Sequence, residues 1–363
     1  MSNTVWTWKR YAFGIAGVAT ALSAAASATA ETRGSIPDMT PVLRRYQAES
    51  ASVAVIRRGR IVALGAWGIA GPGRPAAIAT PYNLASLTKP LTAEVVLRMA
   101  SAGKLALDEP MDRDWSDPDL AHDPRRMALT MRLALSHRTG FPNWRGPDGL
   151  AFVREPGSTP GYSGEGYQYV ARYAEHRTNE PFQRLAQRWL FAPTRMLSSG
   201  YIASQGATQP IATAYDVAGK PLPSEAVTRY NAADFAHATA RDYAAFMIAV
   251  RRDLRISPSI AIERSRLQAD QRGDLCVGIK AVACPPWIGF GLGWQLLGFP
   301  DGTIMMHTGK DAGAFTFAAI DRSTGDGIVI FSNSDNGWRI ILPILKLTRT
   351  NPKLVEYLRA QID

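Results

Sequence analysis

Strand-sized apolar runs lie at both ends of this chain, and helical runs lie between them. Ala51-Ser52-Val53-Ala54-Val55-Ile56 and Ile61-Val62-Ala63-Leu64 flank a turn at Arg58-Gly59-Arg60, which predicts a hairpin. Residues 290–297, 303–307, 315–320 and 327–332 are four further runs separated by turn residues, which predicts an antiparallel meander. In between, Leu91, Val95, Val96 and Met99 recur at helical spacing until Gly103, and helices are expected near 131–136, 167–176, 181–190 and 241–251. A last helix over 338–361 is interrupted at Asn351-Pro352. The economical packing is an α/β fold of the α+β type. One antiparallel sheet is built from both chain ends and flanked by the terminal helices, with a mainly helical region inserted. Residues 31–85 and 285–363 would form the sheet part and 86–284 the helical part, with a cleft between them as the natural place for a site.

The first thirty residues are read separately. Lys9 and Arg10 precede an uncharged apolar stretch from Tyr11 to Ala26, and Ala28-Thr29-Ala30 offers small residues where a signal peptidase reads. This three-part pattern predicts an export signal at 1–30, cleaved before Glu31. An uncleaved anchor is the alternative, but the apolar run is short for a span of about 20 residues. The expected location is periplasmic or secreted, with no stable membrane span after cleavage. The net charge of +10 would fall to about +8 in the mature chain. Its basic residues are scattered and no nucleic-acid motif interleaves them, so no nucleic-acid partner is expected. Cys276 and Cys284 could close a small disulfide loop or remain two thiols. Five widely spread histidines give no metal-ligand spacing, and neither a metal nor another cofactor is expected.

The chemistry concentrates in Ser86-Leu87-Thr88-Lys89, where loop passes into helix. Residues three apart share a helix face, so Lys89 can reach the Ser86 hydroxyl. The helix opening supplies unpaired N–H groups and partial positive charge. A serine needs a neighbouring base, and a lysine serves only if its pKa falls well below about 10.4. The spacing alone is weak: Ser101-Ala102-Gly103-Lys104 repeats it at a helix end, where it has no such role, and Ser86 by itself could be a helix N-cap. Two further segments add weight. Pro160-Gly161-Tyr162-Ser163-Gly164 places a tyrosine on a loop before a helix, and His307-Thr308-Gly309 ends a strand, with Gly309 allowing close approach of a substrate. Arg138-Thr139-Gly140 mimics the latter but follows a helix.

The order Ser86-x-x-Lys89, Tyr162-Ser163-Gly164, His307-Thr308-Gly309 resembles serine β-lactamases and penicillin-binding proteins, most of all the class C β-lactamase branch with its esterases and D-amino-acid peptidases. Leu133-Ala134-Leu135-Ser136-His137-Arg138-Thr139-Gly140 also resembles a Leu-Leu-Ser-His-Thr-Ser-Gly signature of that branch. The resemblance implies that Ser86 is acylated, that Lys89 accepts its proton and that Tyr162 shares the base duty. It implies an oxyanion hole made by the backbone N–H groups of Ser86 and Lys310. His307, Thr308, Gly309 and Gly164 would line the substrate site.

Two departures bear on substrate. Gly164 stands where the branch has Asn, so the amide that contacts an acylamide substrate is missing. His307 replaces a lysine and would be a weaker, titratable cation. Glu165 could partly substitute for the amide, although a solvent-facing glutamate at a helix start is the simpler expectation. The expected activity is acyl transfer to water from a small ester, a D-amino-acid peptide or a β-lactam, in falling order. The alternatives are a catalytically silent envelope protein that binds peptidoglycan, and a basic protein held at the envelope by charge and released by modest salt.

Overall fold

The computed structural model describes residues 36–203, 209–223 and 227–362, and the expected signal at 1–30 lies outside them. Helix α1 (Thr40–Tyr46) leads into a hairpin of β1 (Ser50–Arg57) and β2 (Arg60–Gly71), and β3 (Arg74–Pro75) folds back on β2. Two short strands, β4 (Tyr82–Asn83) and β5 (His237–Ala238), pair with each other away from the main sheet. The remaining strands are β6 (Ala269–Asp270), β7 (Trp287–Phe290), β8 (Gln295–Phe299), β9 (Gly302–Asp311), β10 (Ala314–Asp321) and β11 (Gly327–Ser332). They complete a nine-stranded antiparallel sheet of order β3-β2-β1-β11-β10-β9-β8-β7-β6. Pairing of β1 with β11, with Val53 opposite Ile330, joins the two chain ends as the sequence pattern requires.

Both sheet faces are covered, and the period-two alternation of strand side chains sorts them. Val53, Val55, Phe317, Ile328 and Ile330 enter one core with Leu43 of α1 and with the C-terminal helices Ile341–Leu347 and Pro352–Ile362. Ala54, Ile56, Ala318, Val329 and Phe331 enter the other, with Leu91 and Val95 of helix α2 (Thr88–Ser101) and Phe246 and Met247 of the helix Ala240–Arg251. Helix α2 is buried on nearly every side, which is why its sequence shows little polar face.

The run 290–297 is not one strand. A tight turn with Gly291 N–H bonded to Trp294 O separates β7 from β8. Leu292 and Trp294 in that turn are themselves core residues, so the apolar pattern continues unbroken through it. Cys276 and Cys284 are joined as a disulfide with Cα atoms 5.8 Å apart.

Candidate active site

Ser86 sits in a one-turn 3-10 segment, Ala85–Leu87, that feeds α2. Asn83 Oδ1 accepts from Ala85 N–H at 2.9 Å, and Ala85 itself is held at φ +46°. A non-glycine residue in that region costs on the order of 1 kcal/mol, and here it turns the chain sharply just before Ser86. Ser86 is not an N-cap: neither the 3-10 turn nor α2 has a side-chain cap. Its Oγ instead lies 2.9 Å from Lys89 Nζ, one turn on, and Lys89 also donates to Ala233 O at 2.9 Å. The other match behaves as expected of a helix end: Ser101 Oγ bonds back to Leu97 O.

The loop before β5 fixes this end of α2. Thr92 Oγ1 donates to Ala232 O at 2.6 Å, and Thr88 Oγ1 accepts from Ala236 N–H at 3.1 Å. On the far side, buried Arg264 donates to buried Glu94 Oε1 at 2.9 Å, tying α2 to the helix Pro258–Ser265.

Strand β9 forms the opposite wall. Met306 is its last residue paired with β8, so from His307 onward this edge faces the Ser86 turn without a β8 partner. A Cβ on Gly309 would lie 2.2 Å from Leu84 O, 2.3 Å from Thr316 Oγ1 and 2.9 Å from Ser86 N. The close approach at Gly309 is therefore made by the chain's own Leu84–Ser86 backbone, not by a substrate. Thr308 is buried, and the Lys310 side chain points to solvent.

The third wall is the segment between α3 (Met131–Leu135) and α4 (Gly164–Thr178). Ser163 caps α4 by accepting from Gly166 N–H at 3.1 Å, which leaves the preceding Tyr162 at the cleft. Part of the Tyr162 ring reaches the surface, while its hydroxyl is shielded and interacts with the Ser86 side chain. Lys89 Nζ lies 4.7 Å from the Tyr162 ring centre. Buried His137 stacks on that ring at 4.4 Å and accepts from Ser163 N–H through Nδ1, so its proton sits on Nε2.

Burial governs the electrostatics. Desolvation pushes Lys89 down to about 7, against the opposing pull of the Asp234 carboxylate. Asp234 is raised to about 6 by its own burial, which the Lys89 charge opposes and Asp311 reinforces. The Tyr162 phenol is raised above its ordinary value by burial, despite the interaction with Ser86. His307 is pushed down to about 3 by burial and by Lys89. It is thus neutral at pH 7, not the weak cation expected from sequence. Its Nδ1 lies 2.7 Å from Thr308 O, an acceptor only, so Nδ1 carries the proton. His137 is likewise held well below the ordinary imidazole range by burial and by Lys89. Glu165, expected to face solvent, is buried and takes Arg145 at 2.8 Å.

The structure thus brings Ser86, Lys89, Tyr162, His307 and Gly309 together, with Gly164 buried at the start of α4. Sequence reasoning assigned no role to His137, although it stands in the quoted Leu-Ser-His run, and did not single out Ala233, Asp234 or Trp144. The last three belong to no motif. Only the fold carries them to Lys89.

A family model described as Beta-lactamase matches residues 28–340. The chain belongs to the β-lactamase family. It is 38% identical over 106 residues to the esterase EstB of Burkholderia gladioli, a stretch covering 28% of this chain and 27% of the esterase. It is 26% identical over 272 residues to protein Rv1367c of Mycobacterium tuberculosis, covering 60% of this chain and 66% of that protein. The matched stretches thus span about a quarter of the first relative's length and just under two thirds of the second's. The octameric penicillin-binding protein homologue from Pyrococcus abyssi superposes with a TM-score of 0.71 at 18% identity, over 87% of this chain and 77% of its own. SurE superposes with a TM-score of 0.68 at 22% identity, over 85% of this chain and 73% of its own. The β-lactamase-family fold, with its antiparallel sheet and helices, is common to them.

Proposed function

We propose that this chain is a serine hydrolase that forms an acyl-enzyme on Ser86 and acts best on a small ester. The observation that carries the reading is the convergence of three groups from separate elements. The Ser86 hydroxyl lies 2.9 Å from a buried lysine nitrogen, and a shielded tyrosine hydroxyl interacts with the Ser86 side chain.

In the first half-reaction, Ser86 Oγ attacks the carbonyl carbon and its proton passes to neutral Lys89. The phenol of Tyr162 stays protonated, because burial opposes its ionisation. Lys89 is therefore the base, and Tyr162 hands a proton to the departing alkoxide while Lys89 resupplies it. The N–H groups of Ser86 and Lys310 receive the oxyanion. Water then attacks the ester on Ser86 by the same path in reverse, returning the proton to Oγ and releasing the acid. His307 and His137, both neutral, keep further positive charge away from Lys89 and so preserve its basicity.

An ester ranks first for two reasons. The similarity to an esterase lies in a stretch of 106 residues at 38% identity. Gly164 also offers no side-chain amide to an acylamide substrate. D-amino-acid peptides and β-lactams follow in that order. The Cys276–Cys284 disulfide supports action outside the cytoplasm. The test is hydrolysis of p-nitrophenyl butyrate by the purified chain and its Ser86→Ala variant. Loss of at least about 10³ in turnover is expected. Unchanged turnover would overturn the assignment. A silent peptidoglycan-binding protein would show no turnover in either form.

A further inference from the structure

The space above Gly164 is filled by a residue from elsewhere in the chain. A Cβ at Gly164 would stand 2.6 Å from both Cζ3 and Cη2 of Trp144, and 3.1 Å from Asn143 O. The indole ring centre lies 5.9 Å from Lys89 Nζ, so the ring faces the reacting centre. Trp144 is nevertheless 41% exposed, which leaves part of the indole open to solvent.

Both neighbours of Trp144 are tied to the start of α4. Asn143 O accepts from Gly164 N–H at 2.9 Å and from Glu165 N–H at 3.1 Å. Asn143 Oδ1 also accepts from Gly164 N–H at 2.9 Å. Arg145 reaches Glu165 at 2.8 Å, Asp117 at 2.9 Å and Asp119 at 3.0 Å, and Glu165 and Asp117 are buried. A half-exposed indole on an otherwise irregular segment is thus held from both sides, so a ligand need not order it on binding.

We propose that Trp144 is the specificity-determining wall of the acyl subsite. It accepts acyl groups that lay an apolar chain or ring against the indole, and it disfavours acyl groups carrying an amide next to the carbonyl. An apolar acyl chain gains by leaving water for the indole. An amide there meets ring carbon and loses its hydrogen bonds to water without replacement. The glycine at 164 and the tryptophan at 144 work as a pair, since any side chain at 164 collides with the indole. This inference rests on the Ser86 hydrolase reading.

The experiment compares kcat/KM for the p-nitrophenyl esters of acetic acid, butyric acid and N-acetylglycine in the wild type, Trp144→Ala, and Trp144→Ala/Gly164→Asn. The wild type should prefer butyrate to N-acetylglycine, and Trp144→Ala should lower the butyrate-to-acetate ratio by roughly tenfold. The double variant should raise the N-acetylglycine-to-butyrate ratio by roughly tenfold over Trp144→Ala. Acetate turnover and thermal midpoint report that each variant is folded, and Trp144→Ala alone decides the case if the double variant does not fold. A butyrate-to-acetate ratio unchanged in Trp144→Ala overturns this inference and leaves the hydrolase reading standing. Wild-type turnover that persists in Ser86→Ala overturns both.

Discussion

The carboxylate of Asp234 and the amine of Lys89 are both buried and feel each other's charge, and each opposes the shift that burial imposes on the other. Their titrations are coupled and lie between the ordinary carboxylate and ammonium ranges. The Lys89 amine must be neutral to accept the Ser86 proton, so kcat/KM should fall as pH drops through about 7. Asp234 favours the ammonium form. Asp234→Asn therefore lowers the Lys89 pKa further and should move the acid limb to lower pH by roughly 1 unit. His307 and His137 titrate well below this limb. A pH–rate profile with p-nitrophenyl butyrate checks the sign, and a limb that stays in place or moves upward refutes the coupling.

Tyr162→Phe removes a hydroxyl and leaves the ring that stacks on His137. Turnover should fall about 10²–10⁴-fold, with the thermal midpoint nearly unchanged. Near-wild-type turnover would show that the phenol takes no part in proton movement.

Gly309→Ala forces a methyl group into contact with backbone at 2.2 Å from Leu84 O and 2.9 Å from Ser86 N. The strand and the Ser86 turn must separate. Urea unfolding should show a loss of about 1–3 kcal/mol, and esterase activity should fall because Ser86 is displaced from the β9 edge. Wild-type stability together with wild-type activity would contradict the tight seam between β9 and this turn.

Much of this architecture is legible in the residues. Run 327–332 coincides with β11, because both faces of a central strand are buried and the apolar signal is continuous. The Ser86–Lys89 pair follows from three-residue spacing on a helix. Other features depend on tertiary context. The β7–β8 turn is hidden by the core residues inside it. Asp234 reaches Lys89 from a distant loop, and Trp144 reaches Gly164 only because Asn143 is hydrogen-bonded to the start of α4. His307 looks like a pH-active cation in sequence, and burial beside Lys89 makes it neutral.

Helix α2 also carries a buried charge network. Glu94 accepts from Arg264 at 2.9 Å and lies 3.8 Å from Arg98, and all three side chains are at most 1% exposed. Glu94→Ala leaves buried Arg98 without its carboxylate and takes one of two carboxylates from Arg264, which keeps Asp253, and should cost about 3 kcal/mol in urea unfolding. Glu94→Gln, which keeps one acceptor, should cost less. Equal, negligible losses in both would show that the network contributes nothing to holding α2.

The central claim is that Ser86 is a nucleophile activated by Lys89. Treatment of the purified chain with a fluorophosphonate, followed by proteolysis and mass spectrometry, tests it most directly. The account predicts one phosphonyl adduct, on the peptide carrying Ser86, formed at least about 10²-fold more slowly in Lys89→Ala. A chain that hydrolyses esters yet takes the label on another residue, or takes it at the same rate without the lysine, would contradict it.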